Sequence, residues 1–153
     1  MPPQMFKKIM IAVDGSEASK AAAREGLDLA KRSGARAVAV YVADLAMLNR
    51  LSDYIIYPGA NDEVRKLMIK QGHEATDEIE KMAKELGLEI EKVVAEGSPA
   101  AELLRLSQGT GADLLVLASS GKGGVEKFLL GSVAEKVIRN SKVPVMMVPT
   151  NRD

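Results

Sequence analysis

The sequence predicts an α/β protein built on a doubly wound, mainly parallel five-stranded sheet with helices on both faces. Strand-like apolar runs alternate with helix-like segments along all 153 residues, in the order β-α-β-α-β-α-β-α-β. Several of these runs are almost continuously apolar, which is typical of parallel strands that are covered on both faces. We expect a single domain over residues 1–153, because a chain of this length buries a core without disulfides or metals.

The first half of the chain opens with an apolar strand over 9–13 and a helix after Asp14-Gly15-Ser16. Ser16 is the expected N-cap of this helix and Gly34 its expected stop. A second strand is predicted over 35–43. Residues 44–61 are an irregular apolar loop: a lid over a site, half of an interface or a segment packed on the domain's flank. A long amphipathic helix follows over 62–86, and its charged face is interpreted as solvated surface.

The second half of the chain repeats the alternation of strands and helices, and glycine, serine and proline predict its turns. A strand is predicted over 88–95, and Ser98-Pro99 predicts the start of a helix with Pro99 in its first position. A strand over 114–118, a helix over 133–140 and a final strand over 143–148 complete the chain.

Composition excludes several classes of function. The 21 basic and 21 acidic residues balance, which argues against binding of nucleic acid by a broad basic surface. The absence of cysteine removes disulfides and thiolate chemistry. The N-terminus lacks the apolar core of a signal peptide, and no apolar run approaches the roughly 18 residues that span a bilayer. We therefore expect a cytoplasmic protein with neither membrane nor nucleic acid as a partner.

The glycine-rich stretch over 118–132 is the most informative segment for function. It joins a buried strand to a helix, and its glycines allow backbone N–H groups to converge on a phosphate beside the positive end of the helix dipole. Lys122 and Lys127 add positive charge. The alternative is a flexible connector. Because Asp14 also lies at the carboxyl end of a strand, where ligands of doubly wound sheets bind, phosphate binding is favoured.

Other nucleotide motifs do not match. The loop lacks the Gly-Lys-Ser/Thr ending of a Walker A motif, and only Asp14-Gly15-Ser16 stands where a dinucleotide fingerprint would need three glycines. His73, the single histidine, is expected on the surface of the long helix. Asp14 accepts hydrogen bonds from ribose hydroxyls, helps to hold a phosphate-bound metal ion, or caps the first helix. Ser132 donates hydrogen bonds to a phosphate, serves as the N-cap of the helix, or does both.

At this point the residues resemble the universal stress protein family. The resemblance covers essentially the whole chain and rests on residues 9–16, 41–44 and 143–145 together with Gly121-x9-Gly131-Ser132-Val133. It implies an ATP- or AMP-binding stress-response regulator that hydrolyses nucleotide slowly or not at all. It also implies a homodimer through the last strand, 143–148, which is apolar and lacks the charges that protect solitary edges.

The resemblance also assigns roles to individual positions. It implies phosphate contacts along the loop, a ribose and phosphate contact for the first-strand aspartate, and adenine recognition by the backbone of the second strand. The implied nucleotide-binding residues are Asp14, Val42, Ala118, Ser120, Gly121, Lys122, Gly131, Ser132 and Val133. A Mg²⁺ or Mn²⁺ ion is implied on the phosphates, without a protein metal site or a catalytic residue.

One position departs from the family pattern Gly-x2-Gly-x9-Gly-Ser/Thr, because Ala118 stands at its first glycine. If the backbone there needs a positive φ, alanine costs about 1–2 kcal/mol. If φ is negative, the methyl group only narrows the floor of the pocket. The alternative function is therefore a dimeric interaction module that binds no nucleotide. An enzyme of the ATP pyrophosphatase or nucleotidyl transferase kind is disfavoured, since its Ser-Gly-Gly-x-Asp-Ser or His-x-Gly-His motif is absent.

Overall fold

The computed structural model describes residues 5–46, 60–120 and 130–149, which form five alternating strands and four helices. The strands are β1 (Lys8–Val13), β2 (Arg36–Asp44), β3 (Glu91–Gly97), β4 (Leu114–Ala118) and β5 (Val145–Val148). The helices are α1 (Glu17–Ser33), α2 (Ala60–Glu85), α3 (Pro99–Gly109) and α4 (Ser132–Asn140). The predicted α/β class and element order are confirmed.

All strands of the sheet run parallel, in the spatial order β3-β2-β1-β4-β5. The chain first builds outward from β1 to β3 and then restarts on the other side of β1 with β4. The strand order therefore reverses between β1 and β4, which is the switch point at which doubly wound sheets bind their ligands.

The core has two layers, one on each face of the sheet. On one face α1 and α2 pack against a cluster that includes Leu114, Val116 and Ala118 of β4. On the other face Leu115 and Leu117 join residues of α3 and α4. All residues of β4 are consequently buried, which explains why this strand is a continuous apolar run rather than an alternating one.

Most helix boundaries follow the predicted signals. The Ser16 hydroxyl accepts a hydrogen bond from the backbone N–H of Ser19 at 3.1 Å, which confirms Ser16 as the N-cap of α1. Gly34 adopts a left-handed φ of 67° and ends the helix as predicted. Ser98 and Pro99 begin α3 as predicted.

Four predicted boundaries need correction. β3 begins at Glu91 rather than at residue 88, because Leu88 and Ile90 pack against the core before the ladder with β2 starts. β5 begins at Val145 rather than at residue 143. β2 continues to Asp44 and α2 begins at Ala60, so both ends of the predicted 44–61 loop are regular structure. Residues 47–59 of that loop lie outside the described residues.

Across the described ranges, none of the helices combines the length and apolar character that crossing a membrane would require.

Candidate functional site

The ladder between β1 and β4 ends before either strand does, at the switch point where doubly wound sheets form their ligand crevice. Their ladder runs from Ile9 opposite Leu114 to Ile11 opposite Val116, although each strand continues for two more residues. Over those residues β1 stays paired with β2, and β4 stays paired with β5. The carboxyl ends of the two central strands therefore diverge, with Asp14 following one strand and Ser119 following the other.

Asp14 organises the start of α1 from the β1 side of the crevice. Its Oδ1 accepts hydrogen bonds from the backbone N–H of Ser16 at 2.9 Å and from the Ser16 hydroxyl at 2.5 Å. The Asp14 N–H donates to the hydroxyl of Ser19 at 3.3 Å. Ser16, and not Asp14, is the N-cap of the helix. Asp14 orients this cap, because it accepts both of these hydrogen bonds from Ser16. This local role is compatible with a ligand role, because a carboxylate accepts about four hydrogen bonds.

The chain leaves β4 at Ser119 and returns to the same point twelve residues later, at Gly131. The Gly131 N–H donates to the Ser119 carbonyl at 2.9 Å, and α4 starts immediately afterwards. Gly131 is the N-cap of α4 and Ser132 its first residue, which corrects the N-cap alternative for Ser132. The first N–H groups of a helix have no partner within the helix, and glycine brings no side-chain acceptor for them. The start of α4 thus lies beside the end of β4.

Val42 lies on the other side of β1, just beyond the β1–β2 ladder. That ladder ends at Val13 opposite Tyr41, one residue before Val42. The Val42 side chain is half-buried against the core on the α3 and α4 face. Its backbone therefore lies at the rim of the carboxyl-end surface that Asp14 and Ser119 also border.

Known proteins identify the family of this chain. The model of the universal stress protein family matches residues 5–149. The chain belongs to this family. The universal stress protein MJ0531 of Methanocaldococcus jannaschii is 38% identical over 94% of this chain and 82% of its own length. The universal stress protein YxiE of Bacillus subtilis is 33% identical over 94% of this chain and 99% of its own length.

Solved structures agree with the universal stress protein fold. The structure of MJ0577 superimposes with a TM-score of 0.82 at 23% identity, covering 97% of this chain and 99% of its own. A universal stress protein in complex with cAMP gives a TM-score of 0.65 at 26% identity, covering 95% and 98%. A family member from Arabidopsis thaliana with AMP bound gives 0.68 at 19% identity, covering 96% and 94%.

Ala118, the departure from the pattern of the nucleotide-binding universal stress proteins, is an unstrained strand residue. It closes β4 opposite Val148, and no residue other than glycine has a positive φ within the described ranges. The alternative in which alanine costs conformational energy therefore does not apply. Its methyl group joins the core on the α1 and α2 face and is 9% exposed.

Of the other predicted binding residues of this universal stress protein, only some lie within the described ranges. Ser120 is half-buried two residues after the end of β4, and Val133 is half-buried in the first turn of α4. Gly121, Lys122 and Lys127 lie outside the described residues. His73 is exposed on α2 as predicted. In the described ranges, no three histidine or carboxylate side chains come close enough to hold a metal ion by themselves.

Sequence reasoning missed a second concavity, which we call the α1–α2 pocket. It lies between the two helices on the side of Asp14 that faces α2, has a volume of about 190 Å³, and is lined by residues that include Asp14, Lys20, Tyr41, Gln71, Glu74 and Glu78. Its polar residues on α2 had been interpreted as solvated surface. The available signal was the spacing of Glu74 and Glu78, which places two like charges on one face of a helix.

Proposed function

We propose that this universal stress protein binds an adenine nucleotide in the crevice between β1 and β4 and acts as a nucleotide-responsive regulator. The observation that carries the proposal is the early end of the β1–β4 ladder, which opens the sheet at the switch point. Backbone donors at the start of α4 and the carboxylate of Asp14 border this opening. Related structures that hold cAMP and AMP support adenine nucleotides as the ligand class.

In this proposal the phosphates bind at the start of α4. The N–H groups of Ser132 and Val133 suit an anion because they sit at the positive end of the helix dipole. The proposal includes Ser120, Gly121 and Lys122 as further phosphate contacts and Gly131 as the residue that closes the loop. Ala118 forms part of the wall beneath it.

The nucleoside occupies the other half of the crevice. Asp14 accepts hydrogen bonds from the ribose hydroxyls, and the backbone of Val42 recognises the adenine edge. ATP would bring a Mg²⁺ or Mn²⁺ ion held mainly by its own phosphates, which suits a site whose described residues provide no cluster of three metal ligands. We expect hydrolysis to be slow or absent, since no residue has been assigned as a general base and no arginine finger has been identified.

The proposal also includes a homodimer through β5 and a cytoplasmic location. β5 is an edge strand of the sheet, and its four residues are all apolar. Uncharged edge strands pair readily with other chains. The second candidate function, a dimeric interaction module without nucleotide, is favoured by Ala118, which replaces the first glycine of the family pattern, and by the apolar sequence over 45–57.

Calorimetric titration with ATP, AMP and cAMP in the presence of Mg²⁺ tests the proposal. We expect one nucleotide per chain, and an affinity for ATP that falls about tenfold in Asp14→Asn, because that change removes a charged hydrogen-bond acceptor. Asp62→Asn, which neutralises an exposed carboxylate at the start of α2, is the matched control and should bind as the wild type does.

Absence of binding at millimolar ATP would contradict the proposal and favour the interaction module. The absorbance of the purified protein gives an independent result, because the chain has no tryptophan and only three tyrosines. Nucleotide carried through purification would then raise the ratio of absorbance at the adenine and tyrosine maxima.

A further inference from the structure

Ser19, in the first turn of α1, is a buried polar residue whose hydroxyl reaches beyond its own helix. Its exposed fraction is 3%, and Thr76 and Ser107 are the other buried polar side chains of the described ranges. The hydroxyls of Thr76 and Ser107 donate to carbonyls of their own helices. The Ser19 hydroxyl donates to the Ser16 carbonyl at 3.1 Å and also accepts a hydrogen bond from the Asp14 N–H at 3.3 Å. Ser19 therefore connects α1 to the residue that follows β1.

Asp14, Ser16 and Ser19 form a closed ring of hydrogen bonds. The Ser19 N–H donates to the Ser16 hydroxyl at 3.1 Å, and the Ser16 hydroxyl donates to Asp14 Oδ1 at 2.5 Å. The Asp14 N–H completes the ring at the Ser19 hydroxyl. The backbone N–H and the carboxylate of Asp14 are thus both bonded to the start of α1. Gly15 permits this turn, because its φ of 84° is one that other residues rarely adopt.

The ring orients Asp14 at a point where strand pairing has ended. The β1–β2 ladder stops at Val13 opposite Tyr41, so the ladder does not extend to Asp14. Because Ser19 is buried, water does not readily take the place of its hydroxyl if that group is removed. The direction of the Asp14 carboxylate therefore depends on Ser19 as well as on Ser16.

We propose that Ser19 is a positioning residue that gives the candidate site a preference for ribonucleotides over nucleotides without ribose hydroxyls. The inference rests on the proposed function, in which Asp14 accepts hydrogen bonds from the ribose. The strength of such a bond depends steeply on its angle and distance, and hence on the orientation of the carboxylate. Ser19 does not touch the nucleotide. It acts through Asp14, so its effect is confined to ligands that carry ribose hydroxyls.

Calorimetric titration of Ser19→Ala with ATP and with 2′,3′-dideoxy-ATP, each with Mg²⁺, tests the proposal. We expect the variant to bind ATP about three- to fivefold more weakly than the wild type, because a hydrogen bond to a charged group is misaligned. Its affinity for 2′,3′-dideoxy-ATP should equal that of the wild type, since this nucleotide has no ribose hydroxyl for Asp14. Equal weakening for both nucleotides would mean that Ser19 supports only the fold and would overturn the proposal.

Ser107→Ala is the matched control. Ser107 is 1% exposed and, like Ser19, donates its hydroxyl to the carbonyl three residues earlier, that of Leu104 at 2.8 Å. This variant loses the same kind of buried hydrogen bond on α3 and should bind both nucleotides as the wild type does. Weaker ATP binding in Ser107→Ala would mean that affinity follows general stability, against the proposal.

A double-mutant cycle tests whether Ser19 acts through Asp14. In an Asp14→Asn background, Ser19→Ala should lower the affinity for ATP by less than about twofold, because the charged acceptor that Ser19 positions has already been removed. Losses that add in the double variant would mean that Ser19 acts by another route, and the positioning role would be rejected.

Amide hydrogen exchange on the wild type gives a result even if Ser19→Ala does not fold. Saturating ATP should slow exchange at the Asp14 amide more than saturating 2′,3′-dideoxy-ATP does, because a ribose hydroxyl on the carboxylate stabilises the ring of hydrogen bonds. Equal slowing by the two nucleotides would contradict the proposal.

Failure of this inference is distinguishable from failure of the proposed function. Absence of ATP binding by the wild type would reject the nucleotide site and the role of Ser19 together. ATP binding by the wild type, with the same affinity in Ser19→Ala, would reject only the role of Ser19.

Discussion

At the scale of single residues, Ala118 has a clear physical role. The family pattern has glycine at this position, and in this chain the residue is an ordinary end of β4, paired with Val148, whose methyl group belongs to the core cluster on the α1 and α2 face. The backbone does not require glycine, since φ is not positive. The methyl group therefore stabilises the core at the base of the candidate site. The backbone strain that the sequence alone could not decide is absent at Ala118.

Restoring the family glycine should consequently harm stability rather than help binding. Ala118→Gly should lower the free energy of unfolding by about 1–2 kcal/mol, because glycine raises the entropy of the unfolded chain and a buried methyl group is lost. Urea denaturation measures this, with Ala39→Gly as a matched change at a fully buried alanine in β2. The affinity for ATP should stay the same, and tighter binding in Ala118→Gly would contradict our account of the methyl group.

At the scale of elements, the close approach of α2 to β2 depends on Gly72. A Cβ there would lie 2.7 Å from Tyr41 Cδ1 and 2.8 Å from Val94 Cγ1, distances that side-chain carbons do not normally reach. The glycine is a weak helix former, so the sequence accepts a local cost in α2 in return for contact between the helix and two strands.

Gly72→Ala should therefore lower the free energy of unfolding by about 1–3 kcal/mol, because the cost of overpacking exceeds the gain in helix propensity. Gly109→Ala is the control: Gly109 is also helical, but a Cβ there would meet nothing within 4 Å. We expect Gly109→Ala to be neutral or stabilising in the same urea titration. Equal stability of Gly72→Ala and the wild type would mean that Tyr41 is not held by α2.

At the scale of the whole molecule, the two edges of the sheet differ in charge. β3 carries Glu91, Lys92 and Glu96, and these form ion pairs with Lys8, with Asp77 and Glu80, and with Arg65. β5 contains only Val145, Met146, Met147 and Val148. Charged side chains discourage a strand from pairing with another chain, so the proposed dimer is expected at β5 and not at β3.

Sedimentation velocity tests this expectation. The wild type should sediment as a dimer, and Val145→Lys should shift it to a monomer, because a charge on the edge strand opposes pairing. Leu67→Lys changes an apolar residue on α2 that is 54% exposed and should leave the dimer intact. A folded Val145→Lys variant that remains dimeric would place the interface elsewhere.

Much of the architecture could be predicted from local signals. The caps at Ser16 and Gly34, the first helical position at Pro99 and the apolar run of β4 are determined by short-range chemistry, and each was predicted at its observed place. The predicted start of β3 was wrong, because Leu88 and Ile90 are apolar residues that pack against the core before the strand begins. Hydrophobicity reports burial, and strand pairing depends additionally on the register with a neighbour.

The sequence by itself determined the α/β class, the order of elements and the family, because periodicity, turn residues and motif spacing are properties of the chain. Only the tertiary structure decided where β1 and β4 separate, which face receives the methyl group of Ala118, and that Asp14 also borders the α1–α2 pocket. Those facts depend on contacts between segments that are distant along the chain. Lys20, Tyr41 and Glu74 become neighbours of one pocket only after two helices have packed on the same face of the sheet.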